Sequence, residues 1–211
     1  PAPGEATQKS TFKYLANGDL ESAIDPLGRE TKFEYDTYGN LKAEINPVGD
    51  KTTWTYNSNG EQLTEVSPRG NEEGAKAEEF ETKTERDAQG RPIKVTDPLG
   101  RETKFAYDKN SNLESVTNAL GQTTKYTYDA NDEQTKVEKP NGNTTELAYG
   151  SMGEVKSRTN GNGHTTKYEY DALVQRTETI DPLERKSKRE YDTAGNLKKT
   201  EHALGRTIAG K

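Results

Sequence analysis

The stretch DPLGRETKFEYDTYGNL, Asp25 to Leu41, returns almost unchanged as DPLGRETKFAYDKNSNL from Asp97. The match poses the question on which the fold depends: one domain with a site, or one short unit written many times. Tyr35, the second large aromatic of the stretch, serves as the marker. Tyrosines stand at Tyr14, Tyr35 and Tyr56, then at Tyr107, Tyr128, Tyr149, Tyr170 and Tyr191, with a step of 21 residues inside each group. The 51 residues between Tyr56 and Tyr107 are one step plus 30. A ninth copy therefore places Arg86 in the tyrosine slot, followed by Asp87 and Gly90, and leaves the insertion NEEGAKAEE at 71–79.

Each copy has the grammar of a β-hairpin. Two positions before the anchor stand Phe12, Phe33, Trp54, Phe105, Tyr126, Leu147 and Tyr168, while Lys32, Glu34 and Asp36 alternate with the large side chains. A spacing of two is that of a strand; a helix needs three and four. After the anchor, DTYGN places Asp36 first and Gly39 last, which suits a type I turn closed by a left-handed glycine and a bulge. The second arm, LKAEI, is expected to carry Leu41, Ala43 and Ile45 on one face. It ends at DPLG or a relative of it, the residue order of a second type I turn, in which proline pre-sets φ and aspartate bonds back to the chain. The expected architecture is all-β: tandem antiparallel hairpins of 21 residues forming one curved, spiralling sheet, a single array over 1–211 with an incomplete further repeat at 202–211.

Composition agrees with a thin fold. The 211 residues are 27% hydrophobic and 31% charged, and mean hydropathy is -1.18, so a single thick core is not expected. A net charge of -6 argues against a nucleic-acid or anionic-membrane partner, both of which are held through excess Lys and Arg. No apolar run approaches the ~20 residues that cross a bilayer as a helix. The chain has no cysteine, so thiolate chemistry and disulfides are excluded.

GRETKFEYDTYGNL, GRETKFAYDKNSNL and ERKSKREYDTAGNLKKT resemble the tyrosine-aspartate repeats of the Rhs/YD-repeat family of bacterial polymorphic toxins, toxin-complex subunits, wall-associated proteins and teneurins. The resemblance runs from about Phe12 to Arg206, and SPRGNEEGAKAEEFETKTERDAQGR is similar to a longer variant of the repeat. It implies a sheet coiling into a hollow shell that in toxins encloses a C-terminal effector. No autoproteolytic segment of such shells matches, so no catalytic residue carries over. The chain departs from the pattern at Arg86, at Ser111, Asp132 and Val174 in place of the turn glycine, and at Glu184 in the connecting turn. Local irregularity is expected there, without loss of the fold.

Nine hairpins, about 18 strands at ~4.8 Å, span on the order of 85 Å, a ring roughly 27 Å wide. A domain of ~100 residues is wider than ~30 Å, so this segment is expected to form part of a wall and to belong to a longer protein. The expected function is accordingly non-catalytic and structural: part of a β-shell around a toxin cargo, or a scaffold in a secreted or cell-surface bacterial protein. Its partners would be the remainder of the parent chain, an enclosed toxin domain and, through unpaired sheet edges, other copies of itself. The alternative is a glycan- or cell-wall-binding module, with Tyr38 and Trp54 as candidate contacts. The repeated aspartates Asp36, Asp87, Asp108, Asp129, Asp171 and Asp192 read as turn caps and not as a calcium row. His164 and His202 occupy non-equivalent positions and have no motif partner, so no catalytic, cofactor or metal residue is assigned.

Overall fold

The computed structural model describes residues 9–202 and the backbone of 207–209. Most of the connecting turn expected after His202 lies outside the described residues. The chain divides into two compact units, Pro1–Lys104 and Phe105–Lys211. The first is built from β1 (Thr11–Tyr14), β2 (Leu20–Ile24), β3 (Glu30–Tyr35), β4 (Leu41–Ile45), β5 (Lys51–Tyr56), β6 (Gln62–Val66), β7 (Glu81–Arg86) and β8 (Pro92–Thr96); the division falls inside β9 (Glu102–Tyr107). The second contains β10 (Leu113–Thr117), β11 (Thr123–Tyr128), β12 (Gln134–Glu138), β13 (Thr144–Tyr149), β14 (Val155–Asn160), β15 (Thr165–Tyr170), β16 (Arg176–Ile180), β17 (Lys186–Tyr191), β18 (Leu197–Glu201) and β19 (Thr207–Ala209). Within each unit every strand is antiparallel to the next in chain order. The fold is thus the all-β array of tandem hairpins that the 21-residue period predicts.

Hairpin turns and connecting turns have the same geometry. In the first kind, the Asp36 N–H donates to the Asn40 carbonyl (2.9 Å) and the Gly39 N–H to the Asp36 carbonyl (3.2 Å). In the second, Asn46 and Gly49 repeat both bonds at 3.0 Å. The first residue's side chain adds two more: Asp36 Oδ1 accepts from the N–H groups of Tyr38 (2.8 Å) and Asn40 (2.9 Å). Asn46 Oδ1 does the same for Val48 and Asp50. This is the reason Asp and Asn recur at that position: a short acceptor satisfies backbone donors that the turn would otherwise leave unpaired.

The two arms of a hairpin do not share their apolar face. Tyr35 stands opposite Leu41, but Glu34 stands opposite Ala43 and Lys32 opposite Ile45. The register shift adds one residue to the second strand, and one extra residue reverses the alternation. Leu41 therefore sits across from the anchor, whereas Ala43 and Ile45 belong to the opposite face, correcting the expectation that all three point the same way. The same shift occurs beside Tyr14, Tyr56, Arg86, Tyr128, Tyr149, Tyr170 and Tyr191.

The consequence is a sheet with two unlike faces and hardly any core. Phe33, Trp54 and the anchors stand among Thr31 and Thr52 on one face. The other carries ion pairs such as Lys51–Glu34 (3.2 Å) and Lys136–Glu146 (3.4 Å). Among the described residues only Ala43, Val66, Ser22, Glu154 and Gly70 are buried, and no large side chain is fully enclosed. Exposed ion pairs of this kind contribute little each.

Ser111, Asp132, Val174 and Glu184 do not distort their turns. They adopt the left-handed conformation of the glycines they replace, at φ 73°, 63°, 61° and 58°, and keep the turn bond, as in Val174 N–H to the Asp171 carbonyl at 3.1 Å. The departure from glycine is absorbed as strain, which for a non-glycine residue is of order 1–2 kcal/mol. Asp132 recovers part of it, since its Oδ1 accepts from Asn110 Nδ2 (2.8 Å) and Asn112 Nδ2 (2.6 Å) of the preceding hairpin tip. Val174→Gly should therefore stabilise the chain by about 1 kcal/mol in urea unfolding, after allowing for the added freedom of the unfolded chain. Asp132→Gly should give no such gain, and destabilisation by Val174→Gly would contradict the strain assignment.

Candidate functional site

The most regular constellation in the molecule is the contact that joins one hairpin to the next. Between hairpins the ladder is short. β2 and β3 share three residue pairs, Ser22–Lys32, Ala23–Thr31 and Ile24–Glu30, and β4 and β5 likewise share three. Past the third pair the anchor hydroxyl takes over. Tyr35 Oη donates to the Leu20 carbonyl (3.1 Å) and Tyr56 Oη to the Leu41 carbonyl (2.7 Å). In the second unit Tyr128 reaches Leu113 (3.0 Å), Tyr149 Gln134 (2.9 Å), Tyr170 Val155 (2.9 Å) and Tyr191 Arg176 (3.0 Å).

Every acceptor is the first residue of its strand, and Leu20, Leu41, Gln134, Val155 and Arg176 are each the residue opposite the previous anchor at the register shift. A bulge locally disrupts the ladder, and the next hairpin's tyrosine supplies a donor there. The anchors are thus staples first and only half-buried packing groups second. Arg86 fills the same role without a hydroxyl: its Nε donates to the Gln62 carbonyl (2.9 Å) and its Nη1 to the Gly90 carbonyl (2.8 Å).

The insertion at 71–79 is not an open polar loop. Pro68–Asn71 and Ala77–Phe80 form two 3-10 turns. Ser67 N–H donates to the Phe80 carbonyl (3.2 Å), closing the excursion with the bond that the other connecting turns make four residues on. Asn71 pins it to the sheet. Its Nδ2 lies 2.9 Å from the Lys51 carbonyl and 3.2 Å from those of Val66 and Ser67, while its Oδ1 accepts from Thr53 Oγ1 (3.1 Å). Sequence reasoning assigned Asn71 no role; an amide opening an otherwise acidic stretch was the available signal.

Tyr38 and Trp54 are not equivalent. Tyr38 sits third in the β3–β4 turn and is 85% exposed. Trp54 is half-buried within β5, opposite Glu65, and its indole N–H donates to Glu65 Oε2 (3.1 Å). The repeated aspartates act in their turns: Oδ1 of Asp87, Asp108, Asp129, Asp171 and Asp192 accepts backbone N–H groups two and four residues on. Among the described residues no group of three or more His, Asp or Glu is placed to hold a metal ion. No helix among them is long and apolar enough to cross a membrane, which leaves β-strand spans unaddressed.

This hairpin-to-hairpin arrangement coincides with one sequence family. The RHS Repeat pattern matches residues 14–51, 35–72, 86–122 and 107–144, together more than half of the chain. The chain belongs to the RHS-repeat family. Its fold is similar to that of two solved TcdB2–TccC3 proteins. A TcdB2-TccC3-TEV crystal structure superimposes with a TM-score of 0.67 at 17% identity, over 92% of this chain and 12% of that one. TcdB2-TccC3 without its hypervariable C-terminal region gives 0.64 at 18%, over 97% and 12%. The RHS-repeat chain thus spans about an eighth of the length of either neighbour. No curated protein matches it in sequence.

The staples and caps respond to pH in opposite directions. Burial, then the charge of Asp36, raises the Tyr56 hydroxyl pKa. Burial, then Tyr126 and Asp108, does so for Tyr128, and burial, then Glu133 and Asp129, for Tyr149. Asp36, Asp87 and Asp192 are lowered chiefly by side-chain hydrogen bonds from Asn40, Arg91 and Asn196. A raised tyrosine stabilises the fold fully below its unfolded pKa of about 10, and the stabilisation is lost as pH rises through the folded value. A lowered aspartate stabilises above about 3.9, and that is lost as pH falls through the folded value. Thermal melts across pH should show a plateau between about 4 and 10 with a decline on each side; a maximum outside that window would contradict the assignment. Tyr56→Phe should lower stability by about 1 kcal/mol and Arg86→Leu, which removes a charged donor from two carbonyls, by about 2 kcal/mol. Urea unfolding followed by the single Trp54 reads both, and a neutral Tyr56→Phe would remove the staple's energetic role.

Proposed function

We propose that this nine-repeat array is a structural wall segment of a larger RHS-repeat protein. It forms part of a β-shell that encloses a toxin domain or scaffolds a surface protein, and performs no catalysis itself. Its partners are the rest of its own chain and the enclosed domain, in a secreted or cell-surface bacterial setting. The observation that carries the reading is the staple from the anchors Tyr35, Tyr56, Tyr128, Tyr149, Tyr170 and Tyr191 to the preceding hairpin, maintained by Arg86 where tyrosine is absent. A contact preserved through a change of chemistry serves continuity of the sheet. The fold shared with the two TcdB2–TccC3 proteins, one of them solved without a hypervariable C-terminal region, supports the same reading.

Glycan recognition by an aromatic stack finds less support. The positions equivalent to Tyr38 are Asn17, Asn59, Gln89, Asn110, Asn131, Met152, Leu173 and Ala194, so the exposed ring does not recur from tip to tip, and the Trp54 N–H is already engaged by Glu65.

Limited proteolysis of the full-length parent protein tests the wall reading. The domain following the repeats should resist cleavage in the wild type and become cleavable when Tyr56→Ala and Tyr149→Ala loosen two staples. Equal cleavage in both would overturn it. Saturable binding on a glycan array that is lost with Tyr38→Ala and Trp54→Ala would replace it with the recognition reading.

A further inference from the structure

In three consecutive hairpins of the second unit, arginine stands where other repeats place an apolar side chain. Arg158 takes the position of Val116 and Val137, Arg176 that of Leu113 and Leu197, and Arg189 that of Phe33 and Phe105. Strand pairing puts all three on the face of the anchor tyrosines. Arg158 of β14 stands opposite Leu147 and Thr166, Arg176 of β16 opposite Tyr170, and Arg189 of β17 opposite Thr200. Lys156 joins them there. Its Nζ lies 5.5 Å from the centre of the Tyr170 ring, and the Arg176 guanidinium carbon lies 5.3 Å from the centre of the Tyr168 ring.

The carboxylates of the same strands lie on the opposite face. Glu169 stands opposite Glu178, Glu178 opposite Lys188 and Glu190 opposite Lys199. There they are matched, Glu178 by Lys186 at 3.1 Å and Glu190 by Lys199 at 3.8 Å. On the anchor face Glu154 pairs with Lys156 at 2.9 Å, while Arg158, Arg176 and Arg189 have no ion-pair partner among the described residues. Arg176 and Arg189 are moreover half-buried, and Arg176 Nε is covered without a hydrogen-bond partner. A cation partly withdrawn from water without a counter-charge is costly. In a chain of net charge -6, unpaired cations gathered on one face call for an anion from elsewhere.

We propose that the anchor face of β14–β17 is a docking surface for an acidic polypeptide segment that lies extended across the strands. A guanidinium takes a carboxylate through two parallel N–H···O bonds, the match by which arginine clusters read acidic motifs. An extended segment turns every second side chain to the same side, about 7 Å apart, within reach of long arginine stems on strands ~4.8 Å apart. Charge complementarity selects a polyanion, and the rings select its kind. Nucleic acids bind such surfaces by stacking bases on aromatic faces, but Arg176 and Lys156 already lie over Tyr168 and Tyr170. A long phosphate backbone also meets the negative charge of the rest of the chain, whereas a short acidic segment meets only the local cations.

Titrating a short labelled peptide of alternating Glu and Thr with the full chain, followed by fluorescence anisotropy at low ionic strength, tests this. Binding should saturate and should weaken as added salt shortens the screening length. The repeats themselves supply substitutions that the fold accepts. Arg158→Val, Arg176→Leu and Arg189→Phe together should leave the circular dichroism of the chain unchanged and weaken peptide binding at least about tenfold. Lys186→Ala with Lys188→Ala, on the opposite face, should change it by no more than about threefold. If the triple variant does not fold, Arg158→Glu decides, since Glu44 and Glu65 hold that position in the first unit; it should weaken binding by itself. The proposal is overturned by the absence of saturable peptide binding, by undiminished binding in the folded variant, by an equal loss in the opposite-face pair, or by tighter binding of a single-stranded oligonucleotide of the same charge.

Discussion

Everything in this array depends on how one hairpin holds the next. Inside a hairpin a tight turn brings the strands together, and local contacts of that kind form at small entropic cost. Between hairpins the ladder supplies three residue pairs and then stops. At that point a hydroxyl or guanidinium reaches back to the carbonyl at the previous register shift. Each such bond is worth only about 1 kcal/mol. With no large side chain fully buried among the described residues, stability has to accumulate from many small, nearly equal terms between neighbours, as in other linear repeats. This explains why the anchor tolerates Arg86. The position requires a donor of sufficient reach more than it requires an aromatic ring.

The same economy governs the turns. One five-residue geometry serves every described turn except the β6–β7 connection, so most turns carry a short acceptor at the first position, Leu15, Lys139 and Gly150 being exceptions, and each has a left-handed residue at the fourth. Glycine at the fourth position answers a second demand at some tips. A Cβ on Gly90 would lie 1.6 Å from Glu61 Oε1, the flexible end of the side chain arriving from the preceding tip, which would have to swing aside. At the Asp132 tip the neighbour brings Asn110 and Asn112 instead, and the larger residue is held by their amides. What a tip can carry is therefore set partly by the hairpin before it.

Most of this was legible in the sequence. The 21-residue phase fixed the strands, the two turns and the place of Arg86, because alternation and turn chemistry are local. What sequence reasoning missed is the consequence of the bulge for facing. Two five-residue turns leave strands of six and five residues in each 21-residue unit, and that unequal pair is the trace of the added residue. Leu41 and Ala43 read as same-face neighbours because a spacing of two is ambiguous across a register shift. The anchors read as a buried face because tyrosine suits one. Their hydroxyl partners lie 15 residues upstream, beyond the range of any local pattern.

The insertion shows how far the scheme can be interrupted. Lengthening a surface connection costs little, since closure entropy grows only with the logarithm of loop length. What has to survive is the bond that closes the turn and the staple that follows it. Ser67 keeps the first by taking Phe80 as its acceptor. Arg86 keeps the second, 24 residues from Gln62 where the uninterrupted repeats need 15. Asn71 ties the added residues to Lys51 and Thr53 of β5, so the excursion leans on the sheet it departs from. The ladder between β6 and β7 retains its three pairs. Connecting turns are thus the positions at which an array of this kind can acquire new surface without breaking its strand order.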